Sequence, residues 1–339
     1  MRNTKLLAAI LALFAAPALA QETSPQDAPP HNSTVAAAVV PPLGAPITLD
    51  RSDRMTLPVT IAGQGPFPFI VDTGAERTVV SSELAAQLGL QITGQARVIG
   101  LAESVIADLY RIDSMAVRDI NLEPGSVPTF DQYDIGGPGL IGINSLENHK
   151  VIIDFVAGRM DIRASERARG RVRETDFDRD AIVVIARRRA GRMILSNATI
   201  GGQRIDVIID TGAQSSVGNL ALRRLVLRQQ RQGRGGLTRG ELRSVTGAVL
   251  SVDLGIIERI TLNGLDFTNL PVSYADSPAF AALELEQRPA LFLGMDMLRL
   301  FDRVAVDFTN RRVTFDMRDG AQLDRPSRYA ADHSILGRS

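Results

Sequence analysis

The chain has 339 residues, 45% of them apolar, which is enough to bury one large core or two ordinary ones. Lysine plus arginine balances aspartate plus glutamate at 38 each, so nothing in the overall charge draws the chain to nucleic acid or to strongly acidic substrates. The absence of cysteine excludes disulfides, a thiol nucleophile and a lipidated N-terminal cysteine.

Residues 1–20 carry Arg2 and Lys5, then an apolar, alanine-rich run, then the small-residue site Ala18-Leu19-Ala20. That order predicts a cleaved signal peptide and an exported protein, periplasmic or secreted; an uncleaved membrane anchor is the rival. From Gln21 onward 36 basic residues face 38 acidic ones, a formal net charge of −2, and no later stretch reaches eighteen consecutive apolar residues. No stable membrane insertion is expected after signal removal. Residues 21–45, rich in proline and alanine, predict a flexible linker. Residues 46–163 predict a first lobe and 164–180 a solvated interlobe linker; 181–318 predict a second lobe and 319–339 a polar tail.

The division rests on an internal repeat. PFPFIVDTGAERTVVSSELAAQLGL (66–90) and QRIDVIIDTGAQSSVGNLALRRLVL (203–227) each run from an apolar strand into Asp-Thr-Gly-Ala, then a short strand and an amphipathic helix. Later, PGLIGINSLENHKVIIDFVAGRMDI (138–162) matches ALFLGMDMLRLFDRVAVDFTNRRVTF (290–315). The offset between copies is 138 residues at Asp-Thr-Gly and 152 at Gly142 and Gly294, which places about fourteen inserted residues between them. The Arg- and Gly-rich stretch after Leu225 is the expected place. Segments 97–112 and 243–257 read as β-hairpins, so the fold class is mainly β, with helix a minor component.

A single Asp-Thr-Gly at a strand end is a turn with an aspartate in it. Two copies meeting across a two-fold axis bring Asp72 and Asp210 into one site, where like charges share a proton. One member then acts as base towards a water attacking a peptide carbonyl, and the other donates to the carbonyl oxygen. The hydroxyls of Thr73 and Thr211 are placed to donate to the opposite lobe's backbone, and the Gly74 and Gly212 amides to the aspartates.

FIVDTGAERTVV and VIIDTGAQSSV resemble the active-site segments of retropepsins. Leu140-Ile141-Gly142 and Phe292-Leu293-Gly294 resemble that family's second element, which packs behind the catalytic loop. The resemblance spans roughly 55–162 and 190–316. It implies two similar retropepsin-like or pepsin-like β-barrel lobes forming a pseudo-dimer in one chain, with the active site between them. It also implies an aspartic endopeptidase acting on polypeptides as a monomer, without metal or cofactor. Carried over by position, Asp72 and Asp210 are catalytic, Thr73 and Thr211 form an interlocking grip, and the hairpins near Gly100 and Gly247 are candidate flaps. Two departures matter. Ala75 and Ala213 stand where pepsin-like enzymes usually have Ser or Thr, and Ile143 and Met295 stand where many viral retropepsins have an arginine. The ion pair that stiffens the viral dimer is therefore expected to be missing.

Other signals are weaker. Gly137 to Gly142 spells G-x-G-x-x-G, but it follows a polar run and carries Pro138 where a phosphate loop needs an amide. His31, His149 and His333 are too scattered to hold zinc. Seven arginines between Arg223 and Arg243, with Arg187 to Arg189, read as a solvated face, or alternatively as a contact for an acidic partner or an anionic envelope surface. Two rivals to a monomeric protease remain: a secreted peptide-binding module that has lost turnover, and lobes that pair between chains.

Overall fold

The computed structural model describes residues 55–168, 181–230 and 236–317, with strand backbone also at 13–14, 45–46 and 48–49. The predicted signal peptide, apart from 13–14, lies outside the described residues, as do most of 21–45, residues 169–180 of the expected interlobe linker, and the tail from 318.

The chain folds into two mainly-β lobes with curled sheets. The first contains β1 (Met55–Ile61), β2 (Gln64–Val71), β3 (Val79–Ser81), α1 (Ser82–Gln87), β4 (Ile92–Ile99), β5 (Ser104–Ile112) and β6 (Met115–Val117). It continues with β7 (Ile120–Leu122), β8 (Gly125–Phe130), α2 (Gln132–Ile135), β9 (Gly139–Ile141), β10 (His149–Asp154) and β11 (Arg159–Ala164). The second opens with β12 (Ile182–Ile185), β13 (Arg187–Arg189), β14 (Arg192–Ile200), β15 (Gln203–Ile209), β16 (Val217–Asn219), α3 (Leu220–Gln229) and β17 (Thr238–Ser244). It closes with β18 (Val249–Leu262), β19 (Leu265–Ala275), α4 (Pro278–Ala282), β20 (Ala290–Leu293), α5 (Met295–Leu298), β21 (Arg303–Asp307) and β22 (Arg312–Asp316).

The two lobes share one topology. The first has strand order β1-β2-β9-β3-β8-β5-β4 and the second β14-β15-β20-β16-β19-β18-β17. At the centre of each, β9 runs parallel to β2 and antiparallel to β3, as β20 does to β15 and β16. These central strands are buried on both faces, which is why FIV before Asp72 and VII before Asp210 are continuous apolar runs and not alternating ones. The chain leaves β2 and β15 directly into Asp-Thr-Gly.

The fourteen extra residues divide between two places. The offset is 138 at Ser81 and Asn219 and 145 at their parallel partners Phe130 and Ala275; it reaches 152 at Gly142 and Gly294. Half of the insertion therefore lies in the helix-and-hairpin region, where α3 is longer than α1. The other half surrounds α4, which corrects the expectation of a single insertion after Leu225.

A third sheet joins the lobes in the order β12-β22-β21-β10-β11, with β10 of the first lobe paired to β21 of the second from Lys150↔Asp307 to Asp154↔Arg303. Through it one apolar cluster runs continuously from Met55, Leu57 and Phe69 to Val304, Phe308 and Phe315. The start of the expected linker is also held to the second lobe: Ser165 Oγ donates to Asp307 Oδ1 at 2.9 Å, and the Ala168 amide to Asn310 Oδ1 at 2.9 Å.

Candidate active site

Each Asp-Thr-Gly loop begins where its strand is pinned to the neighbouring one, with Asp72 N donating to Ile141 O and Asp210 N to Leu293 O, both at 3.0 Å. The two loops then interlock. Thr73 Oγ1 donates to Ile209 O at 2.9 Å and Thr211 Oγ1 to Val71 O at 2.7 Å; each hydroxyl also accepts the other threonine's amide at 3.1 Å. Four hydrogen bonds, two donated from each lobe, are thereby made reciprocally in a buried place, which fixes the register of one lobe on the other.

The loop amides converge on the carboxylates. Gly74 N and Ala75 N donate to Asp72 Oδ1 at 2.8 and 2.9 Å, and Gly212 N and Ala213 N to Asp210 Oδ1, both at 3.1 Å. A Cβ on Gly74 would collide with the Asp210 carboxylate and one on Gly212 with that of Asp72, so only glycine lets each loop pass this close to the opposite carboxyl. The structure thus brings Asp72, Thr73, Gly74, Asp210, Thr211 and Gly212 into one site. Asp72 is 0% and Asp210 4% exposed, and burial together with the charge of Asp72 pushes the Asp210 carboxyl up to about 8 against the pull of the two loop amides and Arg192.

Behind each loop the second repeat element closes the support. Gly142 N donates to Thr78 Oγ1 at 3.0 Å, and Gly294 N to Ser216 Oγ at 2.9 Å. Within the G-x-G-x-x-G string, Gly139–Ile141 form strand β9, which packs against the Asp-Thr-Gly loop region. In the first lobe the amide of Thr78 is accepted by neutral Asn144 at 2.7 Å. In the second, Asp296 takes the amide and hydroxyl of Ser216 at 3.0 and 2.7 Å, and burial raises its carboxyl to about 6 despite these bonds.

The predicted hairpins cross over the site. Gly100 lies at the tip of β4–β5, its amide donating to Glu103 O at 2.7 Å, and a Cβ there would stand 2.9 Å from Thr246 Cγ2 of the opposite tip. Gly247, at φ +83°, turns β17 into β18 beside Asp134 of the first lobe. The exchange is reciprocal: Leu101 is buried in the second lobe's cluster with Ile194, Ala213 and Phe280, and Val245 in the first lobe's with Ile70 and Ala75. Two tethers hold the tips. Ser277 Oγ donates to Leu101 O at 2.5 Å; Arg243 pairs with Asp134 at 3.2 Å, its guanidinium 5.6 Å from the Tyr133 ring.

One functional residue escaped the sequence reading. Arg192 is fully buried and its Nε donates to Gly74 O of the first lobe at 2.7 Å, with Glu76 the carboxylate that acts on it most strongly. An arginine does bridge the lobes, but it comes from the start of β14 and not from the position after the later glycine. The signal that could have found it is the repeat: Arg192-Met193 stands 138 residues after Arg54-Met55, the offset of the two Asp-Thr-Gly loops. Most other flagged arginines meet carboxylates of the same chain: Arg187 with Asp206, Arg188 with Glu147, Arg189 with Glu284, and Arg223 and Arg239 with Asp253. Among the described residues no three His, Cys, Asp or Glu side chains converge as metal ligands. No helix among them is long and apolar enough to cross a membrane.

The sequence model described as aspartyl protease matches residues 57–145 and again 196–297, more than half of the chain and both copies of the repeat. The chain belongs to the aspartyl protease family. Within it, the tandem match and shared lobe topology make this a two-lobed, retropepsin-like member. No curated protein is significantly similar in sequence. Among solved structures, the chain is similar to an aspartic proteinase from Irpex lacteus, at 11% identity and TM-score 0.45, covering 80% of this chain and 96% of that one. It is also similar to a retropepsin-like aspartic protease from Rickettsia conorii, at 19% identity and TM-score 0.27, covering 40% and 90%. Soybean Basic 7S globulin matches at 8% identity and TM-score 0.43, covering 81% and 96%.

Proposed function

We propose that this aspartyl protease is an endopeptidase that hydrolyses peptide bonds at an Asp72/Asp210 dyad. The observation that carries the reading is the interlocked pair of loops, which holds two buried carboxyls so close that one raises the other's pKa. At neutral pH the pair keeps one proton. The ionised carboxylate takes a proton from a water whose oxygen bonds to the scissile carbonyl carbon, and the protonated carboxyl donates to the carbonyl oxygen. The tetrahedral diol then collapses: a proton passes to the nitrogen, the C–N bond breaks, and a carboxylic acid and an amine leave.

The charged N-terminus, apolar run and Ala18-Leu19-Ala20 site support export to the periplasm or beyond the cell, with polypeptides met there as substrates. One chain supplies both aspartates, which supports a monomeric enzyme.

The test is digestion of a diverse peptide library by the chain from Gln21, with and without a pepstatin-type transition-state mimic. Internal cleavage blocked by the mimic is expected. Tight binding of peptides without cleavage would instead identify a binding module.

A further inference from the structure

The tips of the two hairpins do more than meet over the site. In β17–β18, Leu242 and Val252 are buried while their chain neighbours Glu241 and Ser251 are exposed, so the former mark the hairpin's inner face. Leu101, at the tip of the other hairpin, is 1% exposed and shares a cluster with that inner face and with Ala213 and Phe280 of the second lobe. It therefore lies under β17–β18. The reverse holds in the first lobe. Val98 and Ala107 are the buried face of β4–β5, with Arg97 and Ile106 exposed beside them, and Val245 is fully buried in one cluster with Val98, Ala107, Ala75 and Ile135.

The crossing is close and is built the same way in both copies. A Cβ on Gly100 would stand 2.9 Å from Thr246 Cγ2 and 3.0 Å from Ser244 Oγ, so a residue without a side chain sits where the tips pass. Each tip is tethered to the short helix of the opposite lobe: Ser277, the N-cap of α4, donates to Leu101 O, and Asp134 of α2 pairs with Arg243. The offset of 145 that relates Phe130 to Ala275 also carries Ile135 to Phe280, the residues of α2 and α4 that share a cluster with Val245 and Leu101.

Two strips that each pass under the other cannot lift one at a time. Raising β4–β5 drives Leu101 against the inner face of β17–β18, and raising β17–β18 drives Val245 against that of β4–β5. We propose that the two hairpins are hooked and open only together, giving the cleft a single closed-to-open equilibrium that draws on both buried anchors and both tethers at once. A bond broken at one tip is then felt equally at the other. The proposal rests on the reading of the hairpins as the gate of a protease, but joint opening is measurable without turnover. A protein that cleaves nothing would sink the protease reading and leave the hook standing; independent opening would do the opposite.

The experiment follows hydrogen exchange in residues 92–112 and 238–254 of the chain from Gln21. Ser277→Ala removes the tether of the first tip alone, and it is expected to speed exchange in both segments by one common factor of about five, the size of one lost hydrogen bond. Val245→Ala unhooks the second hairpin, so that it lifts by itself. In that background Ser277→Ala should speed 92–112 and leave 238–254 unchanged. Should the loss of Ser277 unsettle α4, Arg243→Ala still decides, because it must speed 92–112 by the same factor as 238–254. Acceleration confined to the hairpin whose tether was cut, or absent from both, would overturn the proposal.

Discussion

At the scale of single residues, the buried carboxyls dominate. Asp72→Asn and Asp210→Asn are each expected to reduce turnover below a few per cent while leaving circular dichroism unchanged, since asparagine keeps the shape but cannot share the proton. On the proposed mechanism activity requires one proton on the pair, so the upper limb of kcat/KM should lie near the value of about 8 to which Asp210 is raised. Ala75 and Ala213 are part of the reason, because neither offers the carboxylates a hydroxyl. Ala75→Ser with Ala213→Ser should move that limb to lower pH, and an unmoved limb would remove the alanines from the explanation. The same shifts bear on stability. Asp296, raised from 3.8 to about 6, stabilises the fold most when protonated, so its contribution is complete below about 3.8 and lost as pH rises through 6. Asp296→Asn should therefore flatten the fall of Tm across this window, with the asparagine accepting from the Ser216 amide as Asn144 does from Thr78.

At the scale of elements, the hairpins are the expected gate. Asp72 and Asp210 are buried, so on the proposed mechanism a peptide would reach them only after β4–β5 or β17–β18 lifts. The two tethers differ in kind: a hydroxyl-to-carbonyl bond holds the first tip, and an ion pair that is about a third exposed on its arginine side holds the second. An ion pair of this exposure contributes roughly 0.5 kcal/mol, about a twofold change in the closed-to-open ratio. Asp134→Asn and Arg243→Ala should each speed hydrogen exchange in residues 238–254 by about that factor, and raised salt should do so only in the unsubstituted protein. Equal salt dependence in all three would show that this pair does not hold the hairpin.

At the scale of the whole molecule, the β10–β21 pairing and the continuous core make the two lobes one folding unit. Specific activity should therefore stay constant on dilution, with light scattering reporting a single chain. Activity falling steeply on dilution would mean that lobes pair between chains.

The fold and half of the site were legible because they rest on local sequence written twice. The apolar runs into Asp72 and Asp210, the short strands and amphipathic helices after them, and the glycines at the turns follow from backbone sterics and burial period, and a repeated copy tells signal from chance. Asp72 with Asp210 and Thr73 with Thr211 could be paired on paper because two-fold symmetry supplied the missing distance. What symmetry does not supply needed tertiary structure. The repeated Arg-Met pair marks Arg192 but not its partner, Gly74 across 118 residues; Leu101 and Val245 enter each other's lobes, and the insertion divides between two loops. Each depends on where separate segments come to rest, and contact between distant segments is set by the packing of the whole core, leaving no periodic trace in the chain.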